Sequence, residues 1–181
     1  EMPASMTQFF NPFFIILFGS IFSIMWVKLS QIGKNPSIPL KFCFGIVQLA
    51  LGFLLTKLGF QFVNEAYQVP ILTLVFLYML HTSGELFLSP IGLSMVTKLS
   101  PKSMAGTAMG AWFLSFAIAN YAGGKIAAIT GGHGGGEVVS AEAGLLQYLD
   151  VFSTIGYVLL VIAAIIFLLN KPIKKLMHGV E

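Results

Sequence analysis

Five long apolar runs dominate this sequence and leave few folds open to it. A helix needs about 20 mostly apolar residues to cross about 30 Å of hydrocarbon. Runs of that kind occupy residues 9–27, 42–60, 69–99, 104–129 and 151–170. Lys57, Lys98 and Lys125 fall near the ends of their runs, where a long side chain can reach the headgroups. Glu85 alone stands deep inside one. With flanking signals added, transmembrane helices are predicted at about 4–28, 39–60, 69–99, 104–129 and 149–170, joined by a solvent loop at 130–148 and followed by a tail at 171–181. The fold class is therefore all-α and integral to a membrane, with five transmembrane helices. The third run holds 31 residues, more than one straight crossing requires, so it must tilt, kink or protrude.

Composition removes the competing classes. Charged residues make up 9% of the chain against about a quarter in a soluble domain, which excludes a water-soluble globule. Ten lysines without one arginine cannot assemble the planar, bidentate groove of a nucleic-acid reader, so no nucleic-acid partner is expected. Cys43, the single cysteine, lies in an apolar run and reads as a packing residue. The glycine-rich segment around His133 lacks the Lys-Ser/Thr of a phosphate loop and reads as linker.

Cytoplasmic flanks are enriched in lysine, which orients the bundle. Lys28, Lys34, Lys41, Lys98, Lys102, Lys171, Lys174 and Lys175 fall on one side, and Glu1, Glu65, Glu137, Glu142 and Asp150 on the other. The N-terminus is expected outside and the tail in the cytoplasm. An odd number of crossings, beginning at Glu1 with no signal peptide, reads as a piece of a longer chain.

A carboxylate at bilayer depth is costly and is a functional candidate by default. At helical spacing Tyr78, His81, Glu85, Ser89 and Gly92 form one polar and small stripe. Such a stripe wants water, a ligand or a partner helix, and a buried, protonated Glu85 bonding a neighbouring helix stays open beside the functional reading. Pro90 removes a backbone bond just beyond Glu85. His81 at i and Glu85 at i+4 could ligate zinc, but His133 and His178 lie outside the helices and no third ligand can be nominated, so no metal is expected. His81 is left as a modulator of Glu85 or a packed neutral ring. Asn11-Pro12 fits a helix start, yet helix beginning earlier would turn Asn11 toward the bundle interior. Trp112 and Ser115 share a face with Ala108 and Ala119; a lone tryptophan is more often an interfacial anchor or packing residue than a ligand wall, and the position of Trp112 several residues inside its helix weakens the anchor reading.

The strings GELFLSPIGLSMVTKLSP (84–101), MGAWFLSFAIANYAGG (109–124) and QFFNPFFIILF (8–18) resemble, in order, the C-terminal half of the proton-coupled oligopeptide transporter family of the major facilitator superfamily. The resemblance implies helices eight to twelve of a twelve-helix symporter. In that family two six-helix bundles rock about a central cavity, and protons moving inward drive uptake of di- and tripeptides. It implies that Glu85 meets the peptide's amino terminus, that Asn11 helps hold the same amine, and that Ser89 and Trp112 line the pocket. The implied partners are small peptides, protons as coupling ion, the lipid of a bacterial inner (plasma) membrane, and an N-terminal bundle and helix seven outside this chain. The implied cofactor is none. Two other classes stay open: a structural membrane subunit without transport activity, and an intramembrane enzyme, which ranks last because no nucleophile-base pair or complete metal set is present.

Overall fold

The computed structural model describes residues 7–130 and 140–180, and among them the regular structure is helical with no strand. Helix α1 spans Phe10–Gln31. Helix α1 follows a turn at residues 8–9 and holds Pro12, which has no N–H to leave unpaired, in its first turn; the expected start at residue 4 lies outside the described residues. It ends later than 28 because Gly33 supplies the left-handed stop: at φ 68° its N–H reaches the Ser30 carbonyl at 3.1 Å, while the Lys34 N–H reaches Leu29 at 2.9 Å. Helix α2 spans Ile38–Phe60 behind an extended Ser37, with Pro39 in its first turn. Helix α3 spans Ile71–Leu99, and its 29 residues amount to about 43 Å at the usual rise. Pro90 lies inside α3 without ending it.

A short 3₁₀ turn, Lys102–Met104, leads into α4, Ala105–Thr130. Helices α1, α2 and α3 are long and apolar enough to cross a membrane by length and composition, as is α5, Ala141–Leu168. Among the described residues α4 stands outside that set, since its glycines, Asn120 and Lys125 dilute the apolar run. Helix α5 corrects the sequence expectation by beginning at Ala141 rather than 149. Ser140 caps it, accepting from the Ala143 N–H at 3.2 Å, and Glu142 sits in the first turn, where a carboxylate opposes the helix dipole. Residues assigned to the tail form a further helix, α6, Asn170–Leu176. His133 and Glu137 lie outside the described residues, as does the part of the expected loop between α4 and Ser140.

Helix α2 is the centre of the packing, with α3 on one side and α5 on the other, while α1 and α4 rest on α3. Three glycines a heptad apart, Gly45, Gly52 and Gly59, make the α2–α3 approach possible. A Cβ at Gly45 would stand 2.9 Å from the Gly84 carbonyl oxygen, and one at Gly84 would stand 2.7 Å from the Gly45 carbonyl oxygen. Added carbons at Gly52 and Gly59 would collide with His81 and Thr73. Without water to drive association in lipid, such backbone proximity supplies the van der Waals contact that holds membrane helices together.

The α2–α5 seam is closed by Gly156 under Leu54, by the Cys43 thiol donating to the Ala163 carbonyl at 3.4 Å, and by the Lys57 amine donating to the Tyr157 hydroxyl at 3.0 Å. Helix α1 meets α3 through rings: Phe14, Phe18 and Phe22 stack at 5.6 Å intervals, and Phe87 of α3 stands edge-on to Phe22 at 5.0 Å and to Trp26 at 5.1 Å. The Ser37 hydroxyl donates to Asn170 Oδ1 at 2.6 Å, and Met177 is buried, which together dock α6 under the start of α2. Ile16 and Leu168, each 76% exposed, show the outward apolar surface that hydrocarbon tolerates and water does not.

At the other end of the bundle, the segment between α2 and α3 is organised by Asn64. Its Oδ1 accepts from the N–H groups of Ala66 at 3.1 Å and Gln68 at 2.9 Å. Tyr67 takes a left-handed φ of 57° and donates its hydroxyl to Glu142 Oε2 at 3.1 Å. That hydrogen bond and the carboxylate charge push the Tyr67 phenol pKa up.

Candidate functional site

The polar stripe on α3 opens onto a cavity of about 700 Å³. Asn11 of α1, Tyr78, His81, Glu85 and Ser89 of α3, and Trp112 of α4 all face it. Phe42, Ile46 and Leu49 of α2 close it from below with apolar surface. The arrangement follows from local packing. Gly84 lets α3 press on α2, which turns the next residue, Glu85, away from that contact and toward the gap between α1 and α4. Glu85 is exposed, and among the described residues no hydrogen bond or ion pair engages its side chain.

Residues just before it do the fastening. The Asn11 Nδ2 donates to Thr82 Oγ1 at 3.2 Å, tying α1 to α3. The Ser83 hydroxyl donates to Gln48 Oε1, tying α3 to α2. Asn11 lies within the first turn of α1 and reaches across to α3, so of the two sequence readings the interior-facing one describes its position. Thr82 was absent from the sequence reading. It sits one position off the stripe, and its pairing with Asn11 depends on how α1 leans on α3, which spacing along α3 does not encode.

On α4 the Trp112 ring lies over Gly92, where a Cβ would strike it. This explains why the stripe ends in glycine: a larger residue would push the indole off the cavity wall. Trp112 also meets Phe116 edge-on at 5.9 Å, and both rings line the cavity. The Ser115 hydroxyl turns back to donate to the Trp112 carbonyl at 2.6 Å, a common habit of serine in helices that spends its proton locally.

His81 lines the cavity but its ring leans on α2, 4.5 Å from the Phe53 ring and against Gly52. Among the described residues its Nε2 has no hydrogen-bond partner, and no hydrogen bond joins His81 to Glu85. Among the described residues no three His, Cys, Asp or Glu side chains come together as a metal site.

Chemically, the cavity offers one unengaged carboxylate, one amide held from behind, hydroxyls at Tyr78 and Ser89, and a wall of rings. That combination suits a small cationic or zwitterionic ligand with a variable apolar part.

Comparison with known proteins gives a consistent picture. The model of the POT family matches residues 1–135. A transporter of Bacillus subtilis described as uncharacterized, YclF, is 35% identical over 99% of this chain and 33% of its own length. Dipeptide and tripeptide permease A of Edwardsiella piscicida is 37% identical over 95% of this chain and 34% of its own. Among solved structures, a peptide transporter POT in complex with sulfate superposes with a TM-score of 0.75 at 32% identity, covering 94% of this chain and 31% of that one. A POT family transporter in complex with a thioalcohol-conjugated peptide superposes with a TM-score of 0.73 at 29% identity, over 91% of this chain and 30% of that one. The chain spans about a third of the length of these relatives. With the family model covering 135 of 181 residues and the helices superposing along nearly the whole chain, the protein belongs to the POT family.

Proposed function

We propose that this chain is the C-terminal part of a proton-coupled symporter that imports di- and tripeptides by alternating access, with its lysine-rich end in the cytoplasm of a bacterial inner membrane. The observation that carries the reading is the unengaged Glu85 carboxylate facing the same cavity as the Asn11 amide. A peptide ammonium has three donors and a positive charge, so it needs a carboxylate and neutral acceptors in a site from which water is largely excluded. Glu85 and Asn11 supply these from two different helices. Ser89 adds a hydroxyl, and Trp112 offers broad, adaptable surface to side chains of different size.

Helices α1, α3 and α4 contribute the cavity wall from this chain. An opposing bundle and one further helix would supply the other wall, the groups that hold the peptide carboxylate and the acidic groups that carry the proton. Relatives named as dipeptide and tripeptide permeases support the substrate class.

The test is uptake into proteoliposomes containing the complete transporter. Labelled dialanine is expected to accumulate when an inward proton gradient is imposed and to leak back on addition of a protonophore. N-acetyl-dialanine, lacking the ammonium, is expected to compete poorly. Accumulation indifferent to the proton gradient refutes the coupling, and equal competition by the acetylated peptide refutes the role of the amine.

A further inference from the structure

We infer that Thr82 is a positioning residue for substrate, holding the Asn11 amide in place at the cavity by accepting from its NH₂. The inference rests on the reading of Asn11 as a partner of the peptide amine and assigns a role to a residue that touches no substrate itself.

Thr82 is completely buried, with 0% of its surface exposed, and its hydroxyl oxygen accepts from Asn11 Nδ2 at 3.2 Å. A side-chain amide has two chemically opposite ends. Rotation by half a turn exchanges them at almost no steric cost, and a threonine hydroxyl can meet either end, accepting from the NH₂ or donating to Oδ1. Here the donor end is engaged by Thr82, and Oδ1 is left for the cavity that Asn11 lines. An ammonium accepts nothing, so an amide turned the other way would point its own hydrogens at the ligand's hydrogens. An ammonium in the cavity therefore selects the observed arrangement, with the Asn11 NH₂ on Thr82, and Thr82 keeps the amide anchored in it.

Thr82 is also well built for the task. It lies one helical turn before Glu85 on α3, so the same helix that carries the carboxylate anchors the amide. Its neighbours Ser83 and Gly84 lock that stretch of α3 against Gln48 and Gly45 of α2. A β-branched side chain has few rotamers in a helix, which keeps the hydroxyl in place. Valine would preserve shape and burial while deleting the acceptor, leaving the Asn11 NH₂ without its partner and free to rotate into the cavity.

The experiment is a double-mutant cycle in the complete transporter, reading the affinity for dialanine in Asn11→Ala, Thr82→Val, the double variant and Thr82→Ser. Thr82→Val is expected to weaken dialanine about threefold to tenfold, the effect of one hydrogen bond. Thr82→Ser, which keeps the hydroxyl, is expected to stay within about twofold of the unmodified protein on the same scale. In the Asn11→Ala background Thr82→Val is expected to add nothing, because there is no amide left to orient. A merely structural threonine would weaken binding independently of Asn11, so losses that multiply overturn the inference. Loss with Asn11→Ala but none with Thr82→Val overturns it too, while leaving the amine site standing. No loss with Asn11→Ala removes the assigned role of Asn11 and the inference with it. If Thr82→Val does not fold, Thr82→Ala takes its place in the same cycle, with the same outcomes.

Discussion

Replacing Glu85 by glutamine isolates the charge at the centre of the cavity. The substitution keeps the size of the side chain and one acceptor oxygen, and it removes the negative charge. Because no described residue bonds the Glu85 side chain, the fold has no hydrogen bond or ion pair to lose there, and the melting temperature of the purified transporter is expected to stay the same. The substrate, by contrast, loses a charge-assisted hydrogen bond, worth about 1.5 to 3 kcal/mol. That corresponds to weaker dipeptide binding by about tenfold to somewhat over a hundredfold. The assay is competition by free and N-acetylated dipeptides on both proteins, run beside thermal melts. Acetylated peptides have no ammonium to pair and are expected to bind weakly to both proteins, with little difference between them. An unchanged affinity for free dipeptide would refute the reasoning. So would a fall in both affinities accompanied by a collapse in stability, since that pattern marks a carboxylate that holds the bundle together.

Other outcomes follow from the same geometry. Trp112→Ala is expected to weaken peptides with bulky apolar side chains more than dialanine, because the lost term is ring contact area; equal losses would mean that the indole only packs on Gly92. Gly84→Ala forces a carbon against the Gly45 carbonyl and is expected to cost about 1 to 3 kcal/mol in unfolding experiments, as overpacking does. Gly110→Ala, with open space around it, serves as the control, and equal effects of the two would refute the close-approach account. A tag after Glu181 is expected to be reached only from the cytoplasm, given eight of ten lysines on that side; labelling from outside intact cells would reverse the topology. The Tyr67–Glu142 tether depends on the phenol keeping its proton, and a raised pKa means that its contribution is present at neutral pH and lost as pH rises through the shifted value. The tyrosinate absorbance removed by Tyr67→Phe should therefore appear later than that of ordinary exposed tyrosines, and Glu142→Gln should move it back; a difference signal at the ordinary position refutes the tether.

The helical membrane fold was legible because apolar run length is a one-dimensional quantity. The alignment of Tyr78, His81, Glu85 and Ser89 was legible for a similar reason: helical spacing determines which side chains share a face, and these four do line one cavity. What escaped the sequence was set by charge read too literally or by packing between helices. Glu142 was counted as a loop residue, whereas Ser140 followed by an acidic first turn is a capping signal that starts α5 at Ala141. Lysines at 171, 174 and 175 read as a tail, although Ile173 and Met177 supply the apolar side that seats α6. The direction of His81 could not be read at all, since it depends on Gly52 making room on α2. Thr82 was invisible for the same reason in reverse: its importance comes from Asn11, 71 residues earlier in the chain.

The heptad of glycines on α2 also decides which seam of the bundle is held shut. Gly45, Gly52 and Gly59 span about 21 Å along the helix axis, most of the thickness of the hydrocarbon, and each stands against α3 with no room for another carbon. A seam closed at three heights cannot serve as a gate. In the transport cycle proposed above, water and substrate would pass along the other flanks of α3, toward α1 and α4, where contact is made by rings and by the Trp112 indole instead of backbone on backbone. Such contacts can slide or part without breaking main-chain packing. On that proposal helices α2, α3 and α5 would form the fixed post of the bundle and α1 and α4 its leaves, with Glu85 carried on the post.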